Sequence, residues 1–146
     1  MALSAAKKRY QRDLQVKRLG SGVGADSQTV YAGSMLVHNG SGKIAVGTDA
    51  AGAFIAGVAA KDQSTGSSNT DVIGYEYGHC EWFKISGTDI AAADIGKNAI
   101  LKDDAELTDT STATNDVVIG VVCELETLDG VSGAWVCVGV FAPSNA

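Results

Sequence analysis

The chain has 146 residues, of which 45% are apolar, 6% aromatic and 19% charged, with a formal net charge of -6. A chain of this length buries roughly two-thirds of its unfolded surface, which excludes a disordered tail and removes any need for a disulfide or metal scaffold. Eighteen glycines against a single proline, Pro143, argue against a helical bundle and for short strands joined by tight turns.

Charge is unevenly divided. Residues 1–18 hold Lys7, Lys8, Arg9, Arg12, Lys17 and Arg18 against Asp13, a net of +5, while the remainder holds 5 basic and 16 acidic residues, a net of -11. Clustered like charge resists compaction and seeks an oppositely charged surface, so this is a basic arm on an acidic body. Leu3, Ala6, Tyr10 and Leu14 fall near helical spacing and Leu14 and Val16 alternate as in a strand, leaving the arm's conformation open. The glycines of residues 20–28 read as a hinge, giving an arm plus hinge over 1–28 and a β domain over 29–146. A charged start occupies the place of a signal peptide's apolar region, and no apolar run reaches the roughly 18 residues of a membrane span. Synthesis in the cytoplasm with no membrane partner is expected.

In the body, Met35 to His38, the turn Asn39-Gly40-Ser41-Gly42 and Lys43 to Val46 form a hairpin signal, with Asn-Gly supplying positive φ. Phe54 to Ala59 reads as a buried strand, and Asp62 to Asp71 as a loop. Val72 to Ile85 is the longest strand candidate; Tyr75, Tyr77, His79, Phe83 and Ile85 share one face, and Gly78 marks a bulge or bend. Asp89 to Gly96 carries a single helical turn with an acidic start and a glycine stop. Strands over Asn98 to Lys102, Val117 to Leu125 and Trp135 to Phe141 complete the series, with a loop from Thr108 to Asn115 and a turn at Asp129-Gly130.

Laid against itself at an offset of 63, the body matches Gly33 to Gly96, Val37 to Ile100, Ile44 to Leu107, Ala50 to Ala113, Ile55-Ala56-Gly57-Val58 to Val118-Ile119-Gly120-Val121, and Val72 to Trp135. Matching apolar positions imply two similarly ordered units. The expected fold is all-β, a compact antiparallel β-barrel or sandwich with two similar β units and an extended N-terminal arm.

Catalytic chemistry finds no constellation in this sequence. His38 and His79 sit in no nucleophile motif, Gly20-Ser21-Gly22-Val23-Gly24 neither follows a strand nor opens a helix, and Asp103-Asp104 points its carboxylates apart. His79, Cys80, Cys123 and Cys137 offer zinc-ligand types without Cys-x-x-Cys spacing, so neither metal nor cofactor is expected. A hairpin centred near Gly130 brings Cys123 and Cys137 close to cross-strand register; packed thiols are favoured over a disulfide. Tyr75, Tyr77 and Trp82 suit core packing better than a stacking platform, since only Lys84 among them is basic, and this makes nucleic acid an unfavoured partner.

Four segments carry a resemblance: Tyr31 to Val37, Ala50 to Ala59, Ile90-Ala91-Ala92-Ala93-Asp94-Ile95-Gly96-Lys97-Asn98-Ala99-Ile100-Leu101, and Asp116 to Val122. Over roughly residues 30 to 141 the sequence resembles tailed-phage capsid decoration, or cement, proteins. The resemblance implies a non-enzymatic β protein, usually trimeric, on the outer surface of the virion head, with the major capsid protein and its own copies as partners. It also implies an arm that engages the shell, and the charge split assigns that contact to Lys7, Lys8, Arg9, Arg12, Lys17 and Arg18, with Tyr10, Leu14 and Val16 as apolar anchors. The longer, more basic arm and the three cysteines depart from that pattern. The alternative is a carbohydrate-binding or host-adhesion β module on a virion or cell surface, using aromatics of the Val72 to Ile85 strand.

Overall fold

The computed structural model describes residues 17–68, 70–109 and 113–141. The described residues form β1 (Arg18–Val23), β2 (Thr29–Val30), β3 (Met35–His38), β4 (Ile44–Val46), β5 (Phe54–Val58), β6 (Gln63–Ser64), β7 (Val72–Tyr77), β8 (Cys80–Ile85), β9 (Asn98–Leu101), β10 (Glu106–Thr108), β11 (Val118–Leu128) and β12 (Val131–Val138). The fold is all-β, as expected, and one 3-10 turn, Ala92–Asp94, is the helical element among the described residues. It is closed by the Asp94 carboxylate, which accepts from the Ala91 N–H at 2.8 Å.

The strands divide into two units. One is a five-stranded sheet in the order β1-β7-β5-β3-β4, the other a closed barrel in the order β10-β8-β12-β11-β9, and β2 pairs with β6. Matching β3 to β9, β4 to β10 and β5 to β11 makes the two strand orders identical. The pairings confirm the match residue by residue: Leu36 faces Gly57 as Ala99 faces Gly120, Val37 faces Ile55 as Ile100 faces Val118, and His38 faces Ile44 as Leu101 faces Leu107. Even the register shift recurs, skipping Ala56 in one unit and Ile119 in the other. Gly33 and Gly96 enter the equivalent strands at the same φ, 89°.

The constant offset ends after these strands. Val58 faces Glu76 but its counterpart Val121 faces Cys137, so the second unit reaches its last strand with two residues fewer, and Val72 and Trp135 are not structural equivalents. Closure also differs. In the barrel β10 pairs with β8 in parallel through Glu106 to Lys84 and Leu107 to Ile85, whereas the first unit has only a parallel bridge from Gly24 to Ile44. Gln28 supplies part of the missing edge: its side-chain amide donates to the Ile44 carbonyl at 2.8 Å and accepts from the Val46 N–H at 3.2 Å.

Two apolar clusters result. Val30, Leu36, Ile44, Ala56, Ala59 and Ile73 fill the first unit. The larger cluster fills the barrel with Phe83, Ile85, Leu101, Ile119, Val136 and others, and extends to Met35, Val37, Ile55 and Val58 on the other face of the first sheet. At β3 that sheet is buried on both faces, so Met35, Leu36 and Val37 read as an unbroken apolar run.

Three local expectations are corrected. The segment expected as a hinge holds β1, in which Gly20 and Gly22 are paired strand residues. Their glycines serve close approach: a Cβ at Gly20 would fall on the Tyr75 ring, and one at Gly22 would lie 3.1 Å from Ile44. The long strand over Val72 to Ile85 is two strands, because the chain bends at Gly78, φ 85°, and Val138 bonds both Gly78 and His79. Of the residues expected to share one face, His79, Phe83 and Ile85 are buried, while Tyr75 and Tyr77 are half-buried on β7, in the other sheet. The last strand begins at Val131 rather than Trp135, since Asp129 (φ 50°) and Gly130 (φ 77°) complete a two-residue hairpin turn. The Asn39 turn forms as expected, but its positive φ lies at Gly42, with the Asn39 carboxamide oxygen accepting from Ser41 and Lys43.

Candidate functional site

The arm joins the body at an edge. Of the basic and apolar arm residues singled out from the sequence, Lys7, Lys8, Arg9, Tyr10, Arg12, Leu14 and Val16 lie outside the described residues. Lys17 and Arg18 lie within them: the Lys17 ammonium meets the Glu76 carboxylate at 3.2 Å, and Arg18 opens β1 opposite Tyr77. β1 is the outer strand of its sheet; Leu19, 78% exposed, stands near its arm end opposite Glu76, and the exposed Val72 lies at the far end of the pair, opposite Val23. A second exposed apolar patch forms where Phe54 meets Phe141, ring centroids 5.9 Å apart, next to Val140.

Residues considered for catalysis are structural. His79 is buried with Nε2 3.4 Å from Glu81 and Nδ1 without a hydrogen-bond partner, while His38 lies in the other unit, edge-on to Tyr75. Asp103 accepts from the N–H groups of Ala105 and Glu106, and Asp104 accepts from the Ser34 hydroxyl at 2.9 Å, so the two carboxylates serve different elements. Asp49 accepts from the N–H groups of Thr114 and Asn115 at 2.6 and 2.8 Å, and these bonds hold its carboxyl below the usual carboxylate range. Asp49 and Asp104 each bind one unit to the other.

The aromatics do not form one platform. Tyr75 and Tyr77, 6.1 Å apart, pack against the two apolar clusters, whereas Trp82 sits on the barrel. A Cβ at Gly133 would fall on the Trp82 indole, so that glycine makes room for the ring. Trp82 Nε1 donates to the Glu126 carbonyl and Trp135 Nε1 to the Glu126 carboxylate.

The hairpin brings Cys123 and Cys137 together, as the sequence suggested, and Cys80 joins them, which it did not suggest. Cys80 on β8 directly faces Cys137 on β12, their sulfurs 2.9 Å apart, and Cys123 on β11 places its sulfur 2.8 Å from Cys137. Spacing rules missed this trio because its members come from three neighbouring strands; the β8 to β12 pairing was the missing information. Burial, with the neighbouring thiols Cys123 and Cys80, pushes the Cys137 thiol well above its ordinary pKa. The histidine beside this group faces the interior, as strand alternation requires.

No protein-family model matches the chain. No curated protein matches it either. Among solved structures the chain is similar to the one described as the crystal structure of the head fiber gp8.5 N base in bacteriophage phi29, at 20% identity and a TM-score of 0.42, over 82% of this chain and 94% of that one.

Proposed function

We propose that this chain is a non-enzymatic structural protein of a tailed-phage head, which sits on the outer capsid surface and bridges neighbouring subunits of the major capsid protein. The observation that carries the reading is the division of charge, a +5 arm leading straight into the edge strand of a -11 body. The arm is steered to an acidic surface that repels the body, and its apolar residues then hold it there. Bridging identical subunits favours a closed homotrimer on the shell. The exposed Leu19 beside the arm's point of entry, Val72 at the far end of the β1–β7 pair, and the Phe54–Phe141 patch provide apolar surface for neighbours. Nucleic acid and membrane have no part in this reading.

The test is cosedimentation with purified, DNA-free shells. Removing residues 1–16 leaves β1 intact, so the truncated protein is expected to fold and to lose shell occupancy, while rising salt weakens attachment of the full chain. Single exposed pairs contribute only about 0.2–1 kcal/mol, so Lys7→Ala alone is expected to be silent. Undiminished occupancy by the truncated protein moves attachment onto the β body.

A further inference from the structure

We propose that Cys80, Cys123 and Cys137 form a three-thiolate binding site for a thiophilic metal cation of the Zn2+, Cd2+ or Cu+ class on the outer wall of the barrel. The three sulfurs lie within 4.8 Å of one another. An ion with metal–sulfur bonds of about 2.3 Å spans sulfur pairs of about 3.7 Å, within reach of small side-chain rotations. Soft thiolate sets select this class of cation over Mg2+ or Ca2+.

The backbone supports the assignment. Val138 exchanges bonds with Gly78 and His79, so the adjacent Cys80–Cys137 pair is of the non-hydrogen-bonded kind, in which facing side chains approach most closely. Cys123 is the residue skipped between the pairs Val122–Val136 and Glu124–Trp135. A bulge gives up ladder regularity and re-aims a side chain, and this one brings the third sulfur against Cys137. A disulfide would use two of the three sulfurs and leave Cys80 or Cys123 over; a cation uses all three. Cys123 is exposed, giving the ion an entry path and leaving its fourth position to water or an outside ligand. On binding, each thiol passes its proton to solvent as its sulfur bonds to the ion, with no change of oxidation state.

The test is titration of the reduced full chain with Cd2+, read by the sulfur-to-metal charge-transfer band in the ultraviolet. A band saturating at one ion per chain is expected, accompanied by a rise in Tm with Cd2+ concentration. Cys137→Ser should weaken binding by more than about tenfold, since losing only the outer partners of metal ligands already costs about 10–100-fold. Cys123→Ser, at an exposed position, gives the same reading should Cys137→Ser fail to fold. Absence of the band in the reduced wild type overturns the site, as does a band unchanged in folded serine variants. Formation of a Cys80–Cys137 or Cys123–Cys137 disulfide in air, with no Cd2+ uptake after reduction, also overturns it.

Discussion

At the scale of single residues, glycine acts here mainly through the space it leaves. Gly57 and Gly120 are paired across a bulge in equivalent places, and a Cβ at either would fall on a carbonyl oxygen of the next strand, of Glu76 or of Cys137. Backbone cannot swing aside as a side chain does. Gly120→Ala is therefore expected to destabilise the fold by about 1–3 kcal/mol, the range of overpacked interiors, as read by denaturant midpoint. Gly40→Ala, whose nearest atom would be 3.9 Å away, is the control expected to change the midpoint little. The hinge expected from Gly20, Gly22 and Gly24 rested on composition, which cannot distinguish a glycine that bends from one that admits a tyrosine ring.

At the scale of elements, the connections between units depend on carboxylates that cap loops. Asp49 fastens the backbone of Thr114 and Asn115, 65 and 66 residues away in sequence. Because its folded pKa is lowered from 3.8, its contribution is fully present above that value and is lost as pH falls through the folded one. Asp49→Ala should lower Tm at neutral pH and speed amide exchange at Thr114 and Asn115, and the Tm difference should shrink below pH 3.8. Elements with strong local signals were legible: Asp129-Gly130 as a hairpin turn, Met35 to His38 as the first strand of a hairpin, Gly78 as a bend. The 63-residue offset also reported real pairing equivalences, until Val58 and Val121. Short strands such as Gln63–Ser64 and Glu106–Thr108 were not legible, because two or three residues carry no period and form only where a neighbouring edge receives them. Cys80's place beside Cys137 was hidden for the same reason, since sheet neighbours distant in sequence leave no spacing rule.

At the scale of the whole molecule, one architecture is used twice with unequal closure. The barrel's five strands form a ring without free edges, whereas the first unit meets itself through the single Gly24–Ile44 bridge, the Ala25–Ile44 bond and Gln28 rather than a paired strand. Native-state hydrogen exchange should find Ile100 and Val136 in the barrel among the slowest amides and Val46 on β4 markedly faster; equal protection in both units would contradict this. The placement of the arm has a mechanical side. A load carried through it enters the body at Arg18, where β1 begins its six register pairs with β7. A pull in line with β1 works against all six rungs at once, as shear. A pull across the sheet opens them one after another from the Arg18–Tyr77 end, as a zipper. The same tether is strong along one axis and weak along the other, so the angle at which the arm leaves the body sets the force the attachment withstands.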